Sequence, residues 1–179
     1  MVIKINRTQL IYYIVFIIFF LFSTNIILLF FHGNSNSVRS VNYEDYDHFP
    51  NDIDFRIDTF YETKNIFFSV EFTGWAYINK TKDSENKYIK LIFVSDDNSF
   101  EIETDIVDRF DLMSQLTANN IKGLNHGFIT YFSPLKLKNG IYELHIFCYE
   151  NENTMAIINT KKIFIKTFRS FKEFNFQEN

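Results

Sequence analysis

Residues 104–116 read TDIVDRFDLMSQL, with Asp105, Asp108 and Asp111 crowded around Arg109. Carboxylates at this density could hold a divalent cation, or act as an acid–base pair across a sugar cleft. The local pattern assigns them to the fold instead. Asp105 continues the alternation begun by Glu101 and Glu103, so it belongs to a solvated strand face. From Val107 the period of two is lost. Phe110, Leu112, Met113 and Leu116 are spaced by three and four, which predicts one or two helical turns linking two sheets. Asp108 is the predicted N-cap and Asp111 lies in the favourable first turn. Arg109 then pairs with a carboxylate or caps backbone carbonyls, fixing the crossover.

Other reactive residue types lead to the same place. Cys148 with His126 or His145 has the composition of a nucleophile and its base. Yet Cys148 shares a strand face with Tyr142, Leu144 and Ile146, which predicts a buried, inert thiol. His32 and His48 have no second ligand at metal spacing. The segment DDNSFE lacks the acids and the turn glycine of a calcium loop. No G-x-S-x-G, H-E-x-x-H or glycine-rich phosphate loop occurs. The expectation is therefore no catalytic residue, no metal and no cofactor. Trp75 and Tyr77 alternate on one strand face and could stack sugar rings, whose C–H faces suit aromatic π systems. The alternative is a core tryptophan of a sandwich.

The elements that must position these residues follow from hydrophobic period. DFRIDTFYE, NIFFSVEFTGWAYIN, KYIKLIFVSD, SFEIETDI, GFITYF, IYELHIFCYE, MAIIN and KKIFIKTF alternate apolar with polar, as half-buried strands do. In SFEIETDI, Phe100, Ile102, Thr104 and Ile106 form the buried side; Glu101, Glu103 and Asp105 form the wet side. NKTKDSEN, SDDN and NEN are turn-like. Twenty-three Phe and ten Tyr supply ample core. About seven short strands without long helical patterns predict an all-β antiparallel sandwich over residues 53–168.

Residues 10–31, LIYYIVFIIFFLFSTNIILLFF, carry no charge. As a helix rising about 1.5 Å per residue they match the roughly 30 Å hydrocarbon core of a bilayer. The run is longer than a signal-peptide core and no small-residue cleavage site follows, so an uncleaved transmembrane signal anchor is expected. Asn25 could bond a second such helix or its own backbone. Lys4 and Arg7 precede the run, while Glu44, Asp45, Asp47, Asp52 and Asp54 follow it. Residues 1–9 are then cytoplasmic and the rest lies outside a single-pass cell-membrane protein. Beyond residue 31 there are 16 Lys/Arg against all 22 Asp/Glu, a formal charge of −6, which argues against a nucleic-acid partner. One cysteine excludes an internal disulfide. Residues 32–52 read as a linker closed by Pro50, and 169–179 as a tail; Phe168, just before it, and Phe171 and Phe174 within it could touch a partner or lipid headgroups, fray, or cover a sheet edge.

One series of short motifs sharpens the fold. In PLKLKNGIYELHIF, Tyr142 follows an Asn-Gly turn at the start of a strand, the setting of a tyrosine corner. Gly74-Trp75, Arg109 and Asp111, Gly127-Phe128, and Leu137, Gly140 and Tyr142 follow one another along residues 74–146. In this order they resemble the immunoglobulin and fibronectin type III class, and are similar to a recurring sandwich domain of bacterial cell-envelope proteins. That resemblance implies an Ig-like, non-catalytic accessory domain that serves as an interaction or scaffold module. It implies no defined ligand; the expected partner is an envelope protein or glycan held near the membrane, and the alternative is an accessory subunit of an envelope carbohydrate-active enzyme.

Overall fold

A computed structural model describes residues 6–31, 36–46, 49–50, 52–63, 69–79, 88–118, 123–151, 154–168 and 170–174, without the side chains of 24–31, 63 and 151. His32, His48, the FF pair at 67–68 and most of NKTKDSEN lie outside these residues, as does the side chain of Asn25. The chain forms two compact units, 1–35 and 36–179.

The first unit contains one helix, α1 (Arg7–Phe31). The expected helix is present and starts three residues earlier than the apolar run. From Leu10 to Phe22 its apolar side chains are exposed. Among the described residues no helix is long and apolar enough to cross a membrane.

The second unit is a sandwich-like all-β fold with ten strands among the described residues, where about seven were predicted. They are β1 (Val38–Val41), β2 (Ile53–Thr63), β3 (Ser69–Ile78), β4 (Tyr88–Val94), β5 (Ser99–Glu103), β6 (Asp105–Val107), β7 (Gly127–Phe132), β8 (Gly140–Asn151), β9 (Thr154–Thr167) and β10 (Ser170–Phe174). One sheet has the order β1-β5-β4-β8-β9-β10, the other β2-β3-β7-β6, and every recorded pairing is antiparallel. Period two places Ile89, Leu91 and Phe93 of β4 and Tyr142, Leu144, Ile146 and Cys148 of β8 against Val70 and Phe72 of β3 and Phe128 and Phe132 of β7 in one core. Its centre is aromatic: Phe164 stacks on Phe171 at 5.3 Å and Phe72 meets Phe93 edge-on at 5.8 Å.

Three sequence boundaries move. The segment 32–52, read as a linker, contains β1, paired with β5. It also contains a 3-10 turn at Tyr43–Asp45, and Tyr43, Tyr46 and Phe49 pack on Ile92, Phe147 and Ile157 on the outer face of the six-stranded sheet. Alternation misses this strap because its aromatics cover a face from outside rather than lying in a strand. The tail contains β10, an edge strand on β9. SFEIETDI is two strands, not one: β5 ends at Glu103 in one sheet and β6 starts at Asp105 in the other. The pattern continues across the break, which hid it.

Phe171 is fully buried within the aromatic centre. Phe171→Ala is therefore expected to cost about 3–5 kcal/mol in denaturant unfolding. A loss below about 1 kcal/mol would return the tail to a frayed state.

Candidate functional site

The residues of the opening motif gather on the outer face of the four-stranded sheet. Arg109 donates from Nε and Nη2 to both carboxylate oxygens of Asp111, at 2.7 and 2.6 Å, and from Nη1 to Asp58 at 2.5 Å. Asp58 gave no sequence signal, because it sits at a register shift between Ile57 and Thr59 in the β2–β3 ladder. Such a bulge re-aims a side chain. Arg109, not Asp108, occupies the N-cap of the 3-10 turn at Phe110–Leu112, and no side chain caps it. The turn begins one residue later than predicted and leads into α2 (Met113–Ala118). The Asp111 contact raises the Arg109 pKa and, in return, holds the exposed Asp111 carboxyl below its ordinary range.

Glycines make room for this arrangement. Gly74 lies opposite Phe128 and Trp75 opposite Gly127 across the β3–β7 ladder. A Cβ on Gly74 would lie 2.3 Å from the Arg56 carbonyl and 2.7 Å from the Phe128 ring; one on Gly127 would lie 2.6 Å from Arg109 Cγ. Both close approaches require glycine. Gly140 differs: a Cβ there would meet the Tyr142 ring at 3.7 Å, an ordinary contact. Tyr142 donates its hydroxyl to the Lys138 carbonyl at 2.9 Å, the bond a tyrosine corner requires, and burial pushes its pKa up.

The proposed sugar platform is closed. Trp75 and Tyr77 stack at 5.6 Å and 12°, but they are only 8% and 0% exposed, beneath Leu112 and Leu116. The helical connection that follows Arg109 covers them. Tyr77 also donates to Asp54 and accepts from Gln115. Cys148 lies in the main core, while His145 projects from the other face of β8 to Tyr43, with Nδ1 at 3.0 Å from the hydroxyl. His126 adjoins Tyr77 on the other sheet. Cys148 and His145 thus project from opposite faces of β8, and His126 sits on the other sheet's side.

One expected wet acid is buried. Glu101 is 4% exposed, accepting from Tyr46 at 2.5 Å and from Lys90 at 2.9 Å. Burial and this bond raise the Tyr46 pKa. Both partners are non-local, so alternation on β5 could not show them.

Beside this triad the outer face of the six-stranded sheet opens into a cleft of about 570 Å³, bordered by Tyr88, Phe147, Tyr149, Glu103, Asp105 and Asn36. Tyr88 and Tyr149 are register partners, with ring centroids 5.8 Å apart and planes tilted by 47°. Among the described residues no group of three or more His, Cys, Asp or Glu is placed to hold a metal ion. Comparison with known proteins finds no matching family model, curated protein or solved structure.

Tyr142→Phe is expected to lower stability by about 1 kcal/mol through loss of the corner bond, measured by chemical denaturation; an unchanged midpoint would contradict the corner. A double-mutant cycle on Asp58 and Arg109 should give a coupling of about 0.5–3 kcal/mol, whereas near zero is the value for an exposed, screened pair. The Asp111 contribution has a defined pH sign. Its folded pKa is depressed, so its stabilisation is complete above the ordinary value of 3.8 and is lost as pH falls through the folded value. Asp111→Asn should flatten this acid limb of the stability curve.

Proposed function

We propose that this chain is a single-pass membrane protein whose outward-facing Ig-like sandwich acts without chemistry of its own, as an interaction or scaffold module at the cell envelope. The observation that carries this reading is what the charged motif does. Arg109, Asp58 and Asp111 are spent on joining elements, and the nearest thing to an open site is a cleft suited to binding.

The strand order supports the Ig-like reading. The set β2-β3-β7-β6 faces the set β5-β4-β8-β9. In chain order these correspond to strands A-B-E-D over C′-C-F-G of that class, with Tyr142 at the start of the F-equivalent strand β8. There are departures: β1 and β10 extend one sheet, Trp75 lies on the B-equivalent strand rather than C, and the chain has a single cysteine.

The anchor rests on the full uncharged run 10–31 together with the exposure of α1's apolar side chains from Leu10 to Phe22. Such a surface needs an apolar solvent. Lys4 and Arg7 set the N-terminus inside. A glycan-binding or enzyme-accessory role is the second reading, favoured by the Tyr88–Tyr149 cleft.

Protease added to intact cells is expected to remove the sandwich and leave a small membrane-embedded fragment. A mature N-terminus near residue 32, or full protection of the domain, would overturn the anchored, outward-facing topology.

A further inference from the structure

We propose that the cleft beside Tyr88 and Tyr149 is a subsite for an uncharged saccharide. This rests on the glycan-binding reading above and moves it from the buried Trp75–Tyr77 pair to a different face of the molecule.

The cleft is amphipathic in the way a pyranose ring is. Tyr88 is 56% exposed and, with Tyr149, offers an aromatic surface to axial C–H groups. Glu103 and Asp105, where the chain passes from β5 to β6, offer carboxylate oxygens to sugar hydroxyls, and the Asn36 amide adds a donor. A volume of about 570 Å³ lies within the roughly 300–1,000 Å³ of small-molecule sites.

The charge pattern selects the class of sugar. Among the described residues, Lys90 is bound to Glu101 at 2.9 Å and Arg39 to Glu103 at 3.2 Å, so each of these cations is already engaged by an acid. Asp105 accepts from Asn36 at 3.3 Å and has no cation within ion-pair distance among the described residues. An anionic polymer would meet the Glu103 and Asp105 carboxylates that line the cleft, and like charges repel. A neutral glycan meets only acceptors and donors.

Among the described residues, Tyr46 and Phe49 lie against Phe147 at 5.1 and 5.6 Å, and Phe147 also borders the cleft.

The test uses the full chain in a sugar-free zwitterionic detergent, titrated with cellotetraose, chitotetraose and maltotetraose, and with a tetragalacturonate as the anionic counterpart. At least one neutral tetrasaccharide should bind saturably and more tightly than the anionic one. Tyr88→Ala should weaken that binding tenfold or more, and Tyr88→Phe by less than threefold, since the ring and not the hydroxyl stacks. Trp75→Phe should leave it unchanged. Tyr88 is exposed enough that its replacement reports on the cleft even where Tyr149→Ala does not fold. Binding that survives Tyr88→Ala overturns the cleft assignment while leaving the glycan-binding reading standing. Preference for tetragalacturonate overturns the uncharged ligand. Binding of none of the four overturns both this subsite and the glycan reading.

Discussion

Where the chain changes sheets, between Glu103 and Asp105, the β4–β5 ladder ends at Lys90 and Glu103 and β6 takes up pairing with β7, so backbone carbonyls at the crossover need other partners. A buried carbonyl left alone costs about 1–3 kcal/mol. Two threonines meet the need: Thr104 donates to the Ile89 carbonyl at 2.6 Å, and Thr130, from the opposite sheet, donates to the Glu103 carbonyl at 2.9 Å. The second bond joins the two sheets directly; the first ties the crossover residue to β4. The strand that results, β6, has only three residues and could not hold its place on ladder bonds alone. Arg109, two residues beyond it, completes the attachment by reaching Asp58 on β2, the opposite edge of the same sheet. Gly127 clears its path. The charged motif is thus a clamp across a four-stranded sheet.

That clamp determines what happens to Trp75 and Tyr77. Once Arg109 fixes the start of the helical connection, Leu112 and Leu116 fall over the two aromatics and bury them. Removing a Trp and a Tyr from water contributes on the order of several kcal/mol at about 25 cal/mol per Å². The same residues cannot serve both as this seal and as an open platform, and the energetics favour the seal.

The legible parts of the fold were those encoded by neighbours in sequence. Alternation along KYIKLIFV and IYELHIFCYE placed Cys148 with Tyr142, Leu144 and Ile146 in the core. The turn before Tyr142 placed its hydroxyl on the upstream backbone. Loss of period two at Val107 marks a connection, and Arg109 at its start bonds Asp111 and Asp58. What escaped depended on partners far along the chain or on irregular backbone. Asp58 reaches Arg109 through a bulge, and alternation has no symbol for a bulge. Glu101 has the same spacing as Glu103, yet it is buried because Tyr46, 55 residues away, comes down on it. VRSV is too short and polar-flanked to stand out as a strand, and only pairing with β5 makes it one.

The buried Glu101 links the fold to the cleft. An acid removed from water on the flank of a sheet is costly unless it is paired and hydrogen-bonded. Lys90 supplies the charge and Tyr46 the hydrogen bond. Since Tyr46 belongs to the strap, satisfying Glu101 fixes the strap's register on the sheet; a one-residue slip would withdraw the hydroxyl and leave the acid short of a donor. The same register sets Tyr46 and Phe49 on Phe147, which borders the cleft. A polar contact that adds little net stability by itself thereby positions the aromatic cover on the sheet's outer face.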